Sequence, residues 1–299
     1  MYYLFTLIVG ILITATVPLN GQLSGMYGLY SSSVIVHITG LVLIFAIVVF
    51  KRDRPFSGMR RWFLYLGGAV GYLTLVFNIF AFGRISVSAI MALGLFGQSV
   101  TSLFVDSFGL WGMTKRPFNK RRLIGLLIIF AGIASMINNF ELAAMALSFA
   151  AGFTAVAART LNAKLSDLTN VRISTLYNYI TGVCTAFIVF LLLGCGEPIW
   201  SGFAISPRAY IYLGGILGVI LVAISNAVVT KISAFYFSLF LFVGQVFSGI
   251  LIDRLVLGSF SARILIGGVL VTVGMGADLL LSNNTDKYPP LPSQSDNNF

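Results

Sequence analysis

The 299 residues are 58% hydrophobic and 9% charged, with 19 Lys and Arg against 9 Asp and Glu for a formal net charge of +10. A mean hydropathy of +0.96 leaves too little polar surface for a water-soluble globule, so a soluble enzyme or binding module is excluded and a polytopic membrane protein is expected. One histidine and two cysteines, Cys184 and Cys195, leave no disulfide framework and no thiol-rich metal site.

Apolar runs of about 20 residues, enough to cross about 30 Å of hydrocarbon, occur at 2–19, 32–50, 62–83, 87–112, 123–138, 141–161, 173–195, 210–230, 234–252 and 264–282. They are long and continuous, whereas a barrel strand alternates over about ten residues. The expected fold is an all-α membrane protein of ten transmembrane helices.

The run 2–19 lacks a basic start and a small-x-small cleavage site, and reads as a retained structural helix rather than a signal peptide. Pro18, just before Asn20, predicts a kink or a helix end. The second run holds His37, whose ordinary pKa near neutrality suits a proton carrier, although a histidine hydrogen-bonded within a bundle is the plainer reading. The third carries Gly67-Gly68-x-x-Gly71 and Asn78, and the fourth Gly97-Gln98 and then Asp106. Arg121 and Arg122 open the fifth. Arg159 lies one turn before the end of the sixth run, where it can snorkel to the cytosolic interface or draw an anion into a cavity. The eighth carries Gly214-Gly215-x-x-Gly218, Ser225 and Asn226, the ninth Gly244-Gln245 and Asp253, and Arg263 opens the tenth. Residues 283–299, rich in Asn, Pro, Ser and Asp, read as a disordered cytoplasmic tail.

These elements are written twice. Asn20, Leu23, Ser24, Thr39 and Gly40 recur 142 positions on as Asn162, Leu165, Ser166, Thr181 and Gly182. Tyr65-Leu66-Gly67-Gly68, Gly97-Gln98 and Asp106 recur 147 positions on as Tyr212-Leu213-Gly214-Gly215, Gly244-Gln245 and Asp253. Residues 1–139 and 140–282 are thus two five-span copies. Threading ten spans puts fourteen Lys and Arg on the side of both termini and only Arg84, Arg208, Arg254 and Arg263 opposite, so both termini are expected in the cytoplasm. Five spans per copy then invert the second copy relative to the first, the symmetry of many secondary transporters with a solute site near the bilayer midplane. The basic loops face lipid headgroups rather than nucleic acid.

No HExxH, paired-Cys or Ser/His/Asp arrangement emerges, so no enzyme, cofactor or metal is expected. Gln98 and Gln245 fall near the midplane, where an unpaired amide is costly. They either meet a polar solute in a central cavity or bond a neighbouring helix while the preceding glycine allows close approach. Asn78, Ser225 and Asn226 are the next candidates for solute contact. Asp106 and Asp253 lie near opposite edges of the core; structural ion pairs with Arg121 or Arg122 and with Arg263 explain their placement, and gating or ion coupling, with His37, is the alternative.

Asn20-x-x-Leu23, Gly67-Gly68-x-x-Gly71, Gly97-Gln98, Asp106-x-x-Gly109 and the basic run from Lys115 to Arg122 together resemble the YdcZ-type family of the drug/metabolite transporter superfamily, here as a fused double copy. In the second copy Val256 stands where Gly109 predicts glycine. The resemblance implies a ten-helix bundle around a cavity lined by helices 1, 3, 4, 6, 8 and 9. It also implies a transporter of small organic metabolites, often an exporter. More distant multidrug exporters bind cations through a glutamate in helix 1, but residues 1–19 contain no acid, which favours a neutral, zwitterionic or weakly charged solute. The expected partners are a small-molecule solute and the lipid bilayer of the cytoplasmic membrane, with the chain as monomer or homodimer. A lipid flippase and a non-transporting structural membrane protein are the competing readings.

Overall fold

A bilayer offers no water to free amides, so each crossing segment satisfies its own backbone as a helix. The structure, a computed structural model, describes residues 2–54, 61–108, 122–136, 141–202, 204–228, 231, 234–256, 258 and 262–283. Among them are ten α-helices and no β-strand: α1 (Tyr2–Tyr27), α2 (Leu29–Phe50), α3 (Gly67–Ala81), α4 (Val87–Phe108), α5 (Arg122–Met136), α6 (Leu142–Leu168), α7 (Val171–Leu193), α8 (Leu213–Val228), α9 (Ala234–Val256) and α10 (Ala262–Asn283). Short 3₁₀ turns at Trp62–Leu66 and Ala209–Tyr212 lead into α3 and α8. Among the described residues, α1, α2, α6, α7, and α3 and α8 with their lead-in turns are long and apolar enough to cross a membrane.

Two helix ends differ from the expected ones. α1 and α6 run on to Tyr27 and Leu168 instead of stopping at 19 and 161, and Pro18 lies inside α1 rather than at its end. Hydropathy marks only the apolar part of a span, whereas helical hydrogen bonding continues wherever a neighbour supports it. Leu23 and Tyr27 pack with Val36 and Ile211, and Leu165 packs with Leu64. Asn20, Arg159 and Asn162 consequently sit within their helices.

The packing pattern maps onto itself when the first five helices are exchanged for the last five. α1 packs on α8 and α9, as α6 packs on α3 and α4; α2 packs on α8, as α7 packs on α3. The remaining principal pairs are α2 with α7, α4 with α9 and α5 with α10. Glycine allows the tightest crossings. A Cβ on Gly97 would strike the Phe149 carbonyl and one on Gly152 the Gly94 carbonyl, and Gly244 and Gly10 stand in the same relation to the carbonyls of Leu7 and Leu241. Ile90, Ile129, Ile133, Phe242, Val246 and Val271 fill the core between α4, α5, α9 and α10. Exposed Val42, Phe45, Leu127, Phe130, Leu191 and Leu192 form an apolar exterior suited to lipid.

Two loop carboxylates tie the halves together. Beyond α7, Glu197 accepts from the N–H groups of Tyr30 and Ser31, both at 2.7 Å, and from the Ser31 hydroxyl at 2.5 Å, placing an anion at the N-terminus of α2. Beyond α2, Asp53 accepts from Arg172 Nε at 2.5 Å and Nη2 at 2.9 Å at the start of α7. The Arg172 hydrogen bonds hold the Asp53 carboxyl below the usual carboxylate range. A carboxyl depressed in the folded protein stabilises it above the unfolded pKa, near 4, and loses that contribution as pH falls through the folded value. The gap in Tm between the unmodified protein and Asp53→Asn is therefore expected to narrow as pH drops below about 4. A gap that stays constant from pH 7 to 3 would remove the ionic contribution.

Candidate functional site

Where the halves cross, the close glycine contacts bring α4 onto α6 and α9 onto α1, and beside these crossings lies a partly open cavity of about 240 Å³. It is lined by α1 to α4 and α6 to α9, while none of its lining residues comes from α5 or α10. That adds α2 and α7 to the six helices expected.

All five residues expected to contact solute line this space: Gln98, Gln245, Asn78, Ser225 and Asn226. The two glutamines fall at the midpoints of Val87–Phe108 and Ala234–Val256. Their surroundings differ. Gln98 is half-buried, and its Oε1 accepts from Arg159 Nη2 at 3.3 Å. Gln245 is buried, and its backbone carbonyl accepts from the Thr14 hydroxyl at 3.2 Å. Gln245 Oε1, Asn226 Nδ2 and Asn20 Oδ1 are buried with no hydrogen-bond partner among the described residues. All three side chains line the cavity. An unmet polar atom costs about 1–3 kcal/mol, and these three lie packed against protein behind the cavity surface, Asn20 Oδ1 against Gly214.

His37 also lines the cavity. Its Nδ1 lies 2.8 Å from the Ser33 carbonyl, which suits a neutral ring donating from Nδ1. The ring stands 6.0 Å from both Tyr72 and Tyr179. Tyr179, its counterpart in the second half, donates to the Gly215 carbonyl at 3.2 Å.

Asp253 is placed differently. Its side chain is buried away from the cavity lining, and its two oxygens accept from the backbone N–H groups of Val87 at 2.7 Å and Ser88 at 2.9 Å, capping α4. The side chains of Asp106, Arg121, Arg122 and Arg263 lie outside the described residues.

Two groups carry more weight in the site than their sequence signals suggested. Arg159 faces the cavity from the middle of α6 rather than snorkelling from its end. Its signals were a lone charge inside an apolar run and an uncharged repeat counterpart, Val17. Asn178, about two turns into α7, accepts from Asn162 Nδ2 at 2.8 Å and also lines the cavity. Its counterpart in the first half is Val36, so the repeat pattern did not single it out.

A bundle of apolar helices around a central cavity, its wall mainly apolar with a few polar groups, is an architecture suited to a membrane carrier. The chain belongs to the family described as "Putative inner membrane exporter, YdcZ", whose model matches twice, over residues 1–135 and 143–277. It is therefore a multi-pass inner-membrane protein made of two copies of that family's unit. A solved crystal structure shares its fold with a TM-score of 0.64 at 16% identity, covering 95% of this chain and 98% of the other. No curated protein matches significantly.

Proposed function

We propose that this protein is a secondary transporter that exports a small polar organic metabolite by alternating access. Its two five-helix copies, 1–139 and 140–282, have inverted topology with both termini in the cytoplasm, and exchange roles around the central cavity. The observation that carries this reading is that Gln98 and Gln245, at the midpoints of corresponding helices, line one cavity together with Asn78, Ser225 and Asn226. A purely structural pair of glutamines has no need of a cavity. At about 240 Å³ the space is smaller than the roughly 300–1,000 Å³ of sites for drug-sized ligands, which favours a small solute over a lipid chain. One chain supplies both halves of the pathway, so a monomer suffices.

The test is a thermal-shift screen of detergent-purified protein against small metabolites, followed by efflux of each hit from proteoliposomes. Gln98→Ala and Gln245→Ala are each expected to weaken binding of the hit about tenfold, the loss of one buried hydrogen bond, with the apo Tm little changed. Two variants that unfold, with no ligand found for the parent, would favour glutamines that only pack helices.

A further inference from the structure

Among the described residues, Arg159 is the only charged side chain that lines the cavity; the rest of the wall is amide, hydroxyl, imidazole and apolar. Its guanidinium donates to Gln98 Oε1 and lies 5.7 Å from the centre of the Phe237 ring. No carboxylate among the described residues pairs with it. A guanidinium carries five N–H donors in a planar fork and stays protonated, so most of its donors remain for a guest. A permanent charge inside a membrane protein is costly unless something supplies the counter-charge. The helix stretches that carry Gln98 and Arg159 line the same space together with Gly94 and Ala155.

The two halves part company here. The position corresponding to Arg159 in the first half is Val17, which also lines the cavity, with Ile13 one turn before it. The cavity is thus cationic on its α6 wall, whereas α1 presents Ile13 and Val17 beside the neutral polar groups of Thr16 and Asn20.

We propose that this cavity binds a small organic monocarboxylate, with the carboxylate forked on the Arg159 guanidinium beside the Gln98 amide and an uncharged, partly apolar body against Val17 and Ile13. The assignment rests on the cavity being the transport site. One cation with no second positive group matches a single negative charge, whereas a doubly charged phosphate would bring an uncompensated charge into the membrane. The planar fork fits the two oxygens of a carboxylate. An interior-negative membrane potential by itself favours outward movement of an anion, so export of such a solute requires no coupled ion.

The test compares Tm of the detergent-purified full chain with sodium propionate, lactate and benzoate, each against its neutral amide, and with inorganic phosphate and methanesulfonate. At least one carboxylate is expected to raise Tm by about 3 °C more than its amide. The shift should vanish in Arg159→Met and shrink in Arg159→Lys, which keeps the charge without the fork. The apo Tm of Arg159→Met should equal or exceed that of the parent, because an unpaired charge is replaced by an apolar chain of similar length. Amides equal to their carboxylates, a shift that survives Arg159→Met, stabilisation by phosphate or methanesulfonate alone, or a lowered apo Tm in Arg159→Met together with an unaltered carboxylate shift in Arg159→Lys would each overturn the proposal. Efflux from proteoliposomes separates this inference from the transport reading. Carboxylate binding without efflux defeats the transport reading alone, and efflux of neutral solutes unaffected by Arg159→Met defeats the carboxylate site alone.

Discussion

Gly152→Ala is expected to lower Tm by about 2–12 °C and to weaken solute binding together with it. The added Cβ meets backbone, the Gly94 carbonyl and the Gln98 N–H nitrogen, and no rotamer change relieves a clash with backbone. Overpacking of this kind costs about 1–3 kcal/mol, and each kcal/mol moves Tm by roughly 2–4 °C in a chain of this order of size. The functional loss follows from the same shift. Gly152 is two turns from Arg159 on α6, and Gly97 adjoins Gln98 on α4, so separating these helices opens the 3.3 Å Arg159–Gln98 contact. Gly10→Ala is expected to act alike at the crossing of α1 and α9, where the added Cβ meets the Leu241 carbonyl. Gly25→Ala is the control: a Cβ there has nothing within 4 Å, so the variant should match or slightly exceed the parent through helix propensity. Tm by intrinsic fluorescence checks all three, and a Gly152→Ala protein as stable as Gly25→Ala would contradict the close crossing.

Asp253→Ala is expected to cost about 3 kcal/mol of stability, with Asp253→Asn intermediate. The carboxylate accepts from both Val87 and Ser88 N–H groups while only 1% exposed, and hydrogen bonds to a charged group are each worth about 1.5–3 kcal/mol. Alanine leaves two donors of the first turn of α4 unmet; asparagine keeps one acceptor oxygen and turns an amide donor toward the other N–H. The same pair of variants tests ion coupling. A capping role predicts reduced stability with an unchanged pH profile of transport per folded molecule. A coupling role predicts that Asp253→Asn, still folded, loses its pH dependence.

The membrane setting, the number of helices and the candidate polar residues were legible because each is a local property. Hydropathy over about 20 residues reports a span, and recurrence at 142 and 147 positions reports the repeat, so Gln98 and Gln245 stand out in the sequence itself. Helix ends were less legible, since Tyr27 and Leu168 are fixed by packing beyond the hydrocarbon rather than by hydropathy.

Other features belong to tertiary structure alone. The cap of Asp253 on Val87 joins residues 166 apart, the clasp of Glu197 on Tyr30 joins residues 167 apart, and the contact of Arg159 with Gln98 spans 61. No periodicity along the chain encodes such partners, because they depend on which helices cross and where small residues let them approach. By itself the sequence determined a twice-written apolar helical bundle with paired polar groups at matching depths. Only the packing of one copy against the other decided that those groups share a cavity and that Arg159 breaks its symmetry, because a cavity exists only where side chains from separate helices fail to fill the space between them.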